Sequence, residues 1–432
     1  MLAAAGVARP ARAASGQTIV IGAGIAGLAA AQALVAGGQR VVVLESRDRI
    51  GGRLWTSNRW SGLPVDLGAS WIHGVKRNPI TALADAAGAQ RLQTRYDRSL
   101  TLDATGRSLD LDAVTERAEA MIEAARADIE DDDQDVSLRQ AVEQSPGWRK
   151  ADPAERRLFR HIINATCEQE YGGDWGALSA WNFDAAKEFG GGDVLFPDGY
   201  GQIAAHLARG LDIRLNEPVT RIDPGARVVT ALGSHAADQV VVTLPLGVLQ
   251  AAPALFGDSL APARQAALTA LRMGLLNKCW LRFDRVQWPD DVDWIEWLGP
   301  QDGVWAEWLS LARHRPLPVL LGFNAGAQAR ALEQLDDAAT VASAHQALRA
   351  MFGTRFPAPL QAQITRWGQD RHSLGSYSFQ AVGTSPQTRR DLAGADWDGA
   401  LVFAGEACSP DHSSTVHGAY ASGVAAAKLI LG

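Results

Sequence analysis

"TIVIGAGIAGLAAAQALVAGGQRVVVLES", residues 18–46, decides the fold. The β-branched run Thr18–Ile21 reads as a buried strand. Gly22-Ala23-Gly24-Ile25-Ala26-Gly27 follows at once, then an Ala/Leu-rich stretch suited to a helix, ended by Gly37-Gly38. Val41–Leu44 is a second buried strand, closed by Glu45. A lone GxGxxG is weak evidence. Placed between a strand and a helix, with an acid about twenty residues further on, it marks a dinucleotide site. Gly22 permits the tight turn, Gly24 lets the backbone approach a pyrophosphate, and Gly27 lets the helix pack closely on the strand. The anion then meets a helix N-terminus, where free N–H groups and the helix dipole favour negative charge. Glu45 can accept from both ribose hydroxyls and disfavours a 2′-phosphate, which argues against NADP.

The whole chain has 432 residues, 47% hydrophobic and 21% charged, with a net charge of −7. That length exceeds one ordinary core of roughly 150 residues and implies more than one domain. The modest negative charge argues against a nucleic-acid surface. Cys167, Cys279 and Cys408 show neither a disulfide framework nor a metal spacing, and no His/Cys/Asp cluster has ligand spacing. No apolar run approaches the roughly 18 residues of a membrane-spanning helix, so a soluble protein is expected. The start, "MLAAAGVARPARAAS", reads either as the remnant of an export signal or as a plain N-terminal extension. Cytoplasm and periplasm therefore both stay open.

Residues 109–165 read as helices, with Leu111, Val114, Met121, Ile122, Ala125 and Ile129 near a helical period. The acids Glu130–Asp133 read as a solvated helix end. Strand and helix texture returns after Pro197, with short strands at Val228–Ala231 and Gln239–Thr243, and again in the C-terminal "GALVFAGEACSPDHSSTVHGAYASGVAAAKLIL". Between 275 and 380 lie alternating, Trp-rich segments, which predict an antiparallel sheet with a helix over Asp336–Met351. The predicted class is α/β combined with α+β. One nucleotide-binding domain is assembled from 17–75, 194–272 and 385–432, after an extension over 1–16. A second domain, of antiparallel sheet and helices, is inserted as 76–193 and 273–384.

Arg47-Asp48-Arg49-Ile50-Gly51-Gly52-Arg53 follows Glu45 directly. A second glycine pair flanked by arginines resembles the second motif of FAD proteins with a glutathione-reductase-type, Rossmann-like domain. From about residue 17 onwards, six ordered segments resemble the flavin-containing amine oxidase family, in its polyamine oxidase and spermine oxidase-like branch. They are "VVVLESRDRIGGRLWT" (41–56), "VDLGASWIHG" (65–74), "FPDGYGQI" (196–203), "NEPVTRI" (216–222), "TRWGQDRHSLGSYSF" (365–379) and "FAGEACSPDHSSTVHGAYASG" (403–423). The resemblance implies FAD contacts at Gly22, Ala23, Gly24, Ile25, Ala26, Gly27, Glu45, Ser46, Arg47, Gly51, Gly52 and Arg53. It implies further contacts at Gly68, Ala69, Ser70 and Trp71 beside the flavin ring, and at Val219 beside the adenine. Trp367, Tyr377, Gly405, Glu406, Thr415, Val416 and Ala419 complete the set.

The chain has few lysines, Lys76, Lys150, Lys187, Lys278 and Lys428, and one of them interrupts the apolar stretch "GLLNKCWLRF". A buried ammonium is costly unless paired, and burial lowers its pKa. The resemblance makes Lys278 the catalytic lysine, holding a water near the flavin. It also implies the reaction: an amine gives a hydride to the flavin, the imine hydrolyses to an aldehyde, and oxygen is reduced to hydrogen peroxide. Substrate contacts fall at His73, Tyr377, Thr415 and Glu170, with Glu168 beside the last. Monoamine oxidases flank the amine with two tyrosines and tether FAD through a cysteine. Here Tyr377 resembles one tyrosine, Thr415 replaces the other, and Ser376 stands at the cysteine position. A polyamine substrate and non-covalent FAD are therefore expected. The expected partners are an amine and O2, for a monomer or homodimer. An L-amino-acid oxidase and a non-catalytic FAD-carrying scaffold are the rival readings.

Overall fold

The computed structural model describes residues 16–130, 134–314 and 317–432. The Ala-rich start and Asp131–Asp133 lie outside them, so the export-signal and acidic-helix-end readings fall outside too. The opening strand, Gln17–Ile21, sits centrally in a six-stranded sheet. The order is Gly394–Asp396, Leu401–Phe403, Gln239–Val242, Gln17–Ile21, Arg40–Leu44, Asp212–Arg214. All neighbours pair in parallel except the edge strand Gly394–Asp396. The four inner strands are short, mainly apolar runs because both faces are covered, whereas the edge strands Asp212–Arg214 and Gly394–Asp396 are polar and more exposed. Val20, Val43, Val241 and Val402 face helices Ile25–Ala36 and Val416–Leu431, while Ile19, Ile21, Val240 and Phe403 face the opposite core. The two helices touch through small residues; a Cβ on Gly423 would run into the backbone of Ala26.

The second sheet also has six strands, in the order Gln361–Ile364, Leu276–Arg282, Val319–Ala325, Glu307–Ser310, Trp294–Trp297, Ser99–Leu102. Five are antiparallel neighbours, as the Trp-rich stretch predicts. Ser99–Leu102 departs from that expectation: it pairs in parallel with Trp294–Trp297 and covers what would be an open edge. Helix Asp337–Phe352 packs on one face against Cys279, Leu281, Ile295 and Trp308. It begins one residue later than predicted because Asp336 is its cap, accepting from Ala339 N–H at 2.7 Å. The other face, with Trp280, Trp294, Leu321 and Phe323, meets Leu67 and Leu195 from outside the sheet. Residues 112–130 and 138–169 are mainly helical, ending in a wider π-type turn over Asn164–Gln169.

Register fixes which side chains share that second face. Lys278 lies opposite Phe323, Phe323 opposite Glu307, and Glu307 opposite Glu296. Directly opposed residues project to the same side. One row of side chains therefore crosses four strands, starting at the buried lysine.

Candidate active site

The first βα turn is built as its glycines require. Gly22 adopts φ +103°, which a side chain resists. A Cβ on Gly27 would collide with the Gly22 carbonyl, so helix and strand are in backbone contact. A Cβ on Gly24 would meet nothing within 4 Å. No side chain caps the helix that starts there, leaving its first N–H groups for a ligand. Gly405, at φ +147°, likewise opens onto free space. Glu45 is buried and accepts from Ala23 N–H and Arg47 N–H, both at 2.8 Å. Its backbone carbonyl accepts from Glu217 N–H at 2.9 Å, which brings Val219 to the same end of the cleft. Arg49 stacks its guanidinium 4.4 Å from the Trp55 ring, and its buried Nη2 has no partner. An uncapped helix end, an open glycine and an orphaned guanidinium nitrogen together fit a diphosphate-bridged dinucleotide.

Three arginines respond differently. Arg47 is committed: both Nη atoms bond the Asp370 carboxylate at 2.9 Å, and Nη2 also reaches Ser373. Ser46 Oγ lies 2.9 Å from His372 Nδ1, so these two neighbours hold the loop around residue 370 against the cleft. Arg53 donates to Glu406 and to the Ser376 carbonyl, each at 2.9 Å. Glu406 is buried, and burial pushes its carboxyl up; Arg53 and Arg389 overcome this and hold it below the usual range. The Ser378 hydroxyl donates to Glu406 at 2.6 Å and accepts from Arg389 Nη1 at 2.7 Å.

Lys278 is 4% exposed. Its ammonium donates to the carbonyls of Asp66 (3.2 Å) and Gly68 (2.5 Å) and to Ser70 Oγ (2.6 Å). Three donors thus meet three protein oxygens, and Trp71 lies 5.6 Å away as a cation–π partner. Burial lowers the lysine pKa to about 8, opposed by the Asp66 carboxylate. Burial raises Asp66 to about 6, opposed by its bond from Thr56 and by the Lys278 charge. The same loop receives Trp280 Nε1 on the Asp66 carbonyl and Trp367 Nε1 on the Leu67 carbonyl, both at 3.1 Å. Asn277 Oδ1 fixes Trp367 through its backbone N–H at 3.0 Å. Segment 66–70 is therefore a seam on which groups from the second sheet and the loop that follows it converge.

Around this seam lies an aromatic wall. Trp71 stacks on Trp294 at 5.7 Å, Trp294 on Tyr96 at 4.7 Å, and Phe323 lies 6.1 Å from Trp71. His73 sits 6.4 Å from Trp71, its side chain 46% exposed, with Nδ1 2.9 Å from Asp193. Burial opposes the imidazolium, but Asp193 and the more distant Glu170 and Glu188 win and raise its pKa. Tyr377 packs its ring against Gly172 and donates its hydroxyl to the Gln169 carbonyl at 2.9 Å.

The remaining predicted residues divide. Glu170 is exposed, and its charge reaches His73 and Tyr377. Glu168 is instead buried, paired with Arg160 at 2.7 Å and bonded by Asn164 and Trp175. The Thr415 hydroxyl caps helix Val416–Leu431: it accepts from Gly418 N–H at 2.9 Å and donates to the His412 carbonyl at 2.8 Å. That leaves it no proton for a substrate. Ser376 bonds the backbone of Leu276, and Cys408 is buried, its thiol pushed by burial up to about 12. His412 and His417 lie ring to ring at 5.1 Å, and burial lowers His417 to about 3. Sequence reasoning missed Arg49, Asp66, Asp193, Asp370, Arg389 and the Glu296–Glu307 pair. Arg49 carried a signal inside the arginine-glycine run, and Asp66 and Asp370 lie within the quoted segments 65–74 and 365–379; the others gain meaning from partners far along the chain.

Among the described residues no group of His, Cys, Asp and Glu is arranged to hold a metal, and no helix is long and apolar enough to cross a membrane. Comparison with known proteins agrees with the geometry. A rice protein called Polyamine oxidase 4 is 35% identical over 95% of this chain and 87% of its own length. Polyamine oxidase 2 of Arabidopsis thaliana is 34% identical over 96% of this chain and 88% of its own. A lysine-specific histone demethylase homologue from the same plant is 33% identical, but this chain spans only 58% of it. The solved structure of a putrescine oxidase bound to putrescine superposes with a TM-score of 0.80, covering 96% of this chain and 99% of that one. At 20% identity that likeness speaks for the fold. The family described as flavin containing amine oxidoreductase matches residues 25–431. The protein thus takes FAD, an amine and O2 are its reactants, and the chain belongs to the flavin-containing amine oxidoreductase family.

Proposed function

We propose that this flavin-dependent amine oxidase acts on polyamines and holds FAD without a covalent bond. One observation carries the substrate reading: carboxyl groups gather around His73, Tyr377 and Glu307, with Asp193 2.9 Å from His73, Glu296 directly opposite Glu307, and Glu170 acting on all three. Such a field draws in polycations and repels the carboxylate of an amino acid. The similar plant proteins named polyamine oxidases support the same reading.

In this reading segments 17–75, 194–272 and 385–432 hold the dinucleotide, and 76–193 with 273–384 hold the amine. Gly22–Gly27, Gly51, Gly52, Arg49 and Arg53 cradle the diphosphate, Glu45 the ribose, and Val219 the adenine edge. Gly68, Ala69, Trp367, Gly405, Glu406, Val416 and Ala419 frame the ring and its linker. Bound FAD supplies the two-electron acceptor; the protein supplies orientation, desolvation and charge. The reacting nitrogen must be neutral, and the aromatic wall with Tyr377 disfavours its ammonium form. Lys278 holds a fixed positive charge beside the reacting atoms. Its three donors are spent on protein oxygens, so it acts as a charge in place more than as a water carrier.

A peroxide-coupled assay with spermine, spermidine, their acetylated forms and amino acids tests this. Peroxide is expected from polyamines alone; peroxide from amino acids alone overturns the reading. Acid precipitation is expected to release all flavin to the supernatant, because Ser376, a poor tether, stands where a cysteine would attach it. Flavin retained in the pellet would show a covalent bond.

A further inference from the structure

The three oxygens that cage the Lys278 ammonium are all neutral: two carbonyls, of Asp66 and Gly68, and the Ser70 hydroxyl. A buried charge held only by neutral groups is costly and tends to shed its proton. Among the described residues one charged group acts on this lysine, the Asp66 carboxylate, and Lys278 is the one charge that acts on Asp66. The other side chains facing the pair are uncharged. They are Thr56, Ser70, Trp71 and Trp280, with Tyr200, whose phenol burial and Asp66 push up and keep protonated.

Asp66 is 5% exposed and lies in the short strand Val65–Asp66, directly opposite Thr56. Its Oδ1 accepts from the Thr56 hydroxyl at 2.5 Å and from Tyr200 N–H at 3.0 Å, and Oδ2 shares that N–H at 3.1 Å. Thr56 Oγ1 accepts from Gly201 N–H at 2.8 Å, so its own proton is committed to Asp66. Every bond the carboxylate makes is one it accepts, and such bonds favour the anion. The carbonyl of the same residue lies 3.2 Å from the ammonium and 3.1 Å from Trp280 Nε1. One residue thus turns its carbonyl to Lys278 and anchors its carboxylate on the hairpin before helix Gly201–Leu207. The hairpin does not require a charge, because a neutral amide oxygen could accept from both Thr56 and Tyr200.

We propose that Asp66 is the counter-ion of Lys278: its buried carboxylate keeps the ammonium charged in the seam and makes Asp66 a positioning residue for the reaction. This rests on the reading of Lys278 as a fixed charge. Burial raises Asp66 to about 6 and lowers Lys278 to about 8, so both are charged between these values. Each holds the other short of neutralisation.

The test uses Asp66→Asn, Lys278→Met and the double variant as holoenzymes. The first readout is kcat/KM for oxygen against pH. Wild type should fall as pH rises through about 8. Asp66→Asn removes the group that raises the lysine pKa, so its falling limb should move to lower pH by about one unit or more, the scale of one close opposite charge. A lower profile with the limb unmoved would mean a merely structural role and overturns the proposal. The second readout is melting temperature at neutral pH. Asp66→Asn should lower it in the wild-type background, where an ammonium is left unpaired, and raise it in the Lys278→Met background, where the acid is the unpaired group. Equal shifts in both backgrounds overturn the proposal. If Asp66→Asn fails to fold while the double variant folds, the pairing stands; if neither folds, Asp66 serves packing and the proposal falls. A wild type without a falling limb removes the fixed-charge reading alone, and the melting cycle still decides whether the two groups are paired.

Discussion

Lys278→Met should give a folded, yellow protein whose turnover falls about 100-fold, the scale seen when one preorganised electrostatic group is removed from an active site. Methionine fills the volume of the lysine stem. Trp280 and Trp367 still hold the Asp66 and Leu67 carbonyls, so the seam keeps its shape. What disappears is a fixed charge in a desolvated place. The pH dependence separates charge from bulk. Burial lowers Lys278 to about 8, so the ammonium is present below that pH and lost above it. Its cage of three oxygens is built for the charged form. Activity should therefore fall as pH rises through about 8, and the variant should lack this limb. The quantity to measure is kcat/KM for oxygen, which amine protonation does not enter. Unchanged turnover in the variant removes Lys278 from the mechanism, and a limb of opposite sign would make it a base.

A pair of glycine substitutions should separate folding from cofactor binding. At Gly24 the backbone is extended, φ −72° and ψ 176°, and a Cβ meets nothing within 4 Å. Gly24→Val should fold normally and be colourless, because its side chain occupies the space through which the backbone approaches the diphosphate. Gly27→Val drives its Cβ into the Gly22 carbonyl and to 2.9 Å from Thr243 Oγ1. The helix must then leave the strand, at a cost above about 4 kcal/mol, and the protein should be largely insoluble. Circular dichroism, melting temperature and flavin absorbance distinguish the two. A yellow Gly24→Val with undiminished FAD affinity would move the diphosphate elsewhere.

The strand–turn–helix of residues 17–45 was readable because each glycine answers a local demand and the strands are bounded by turn residues. The helix at Asp337–Phe352 was readable for the same reason, its cap lying next to its apolar period. Side-chain commitments were not readable. Thr415 and a substrate-facing threonine look alike in sequence, yet its hydroxyl closes a helix end. Glu168 and Glu170 stand two residues apart, and only tertiary structure pairs the first with Arg160 and leaves the second exposed. Arg47 reads as a phosphate ligand until Asp370, 323 positions away, takes both its nitrogens. The carboxylates at 296 and 307 belong to strands whose pairing no local pattern specifies, so nothing connected them with Lys278.

That pairing has an evolutionary corollary. A slip of one position in Glu307–Ser310 would turn Trp308 to the face of Lys278 and bury Glu307 against helix Asp337–Phe352. The face that Lys278 shares can consequently change by exchange of single residues, but not by inserting or deleting one within a strand.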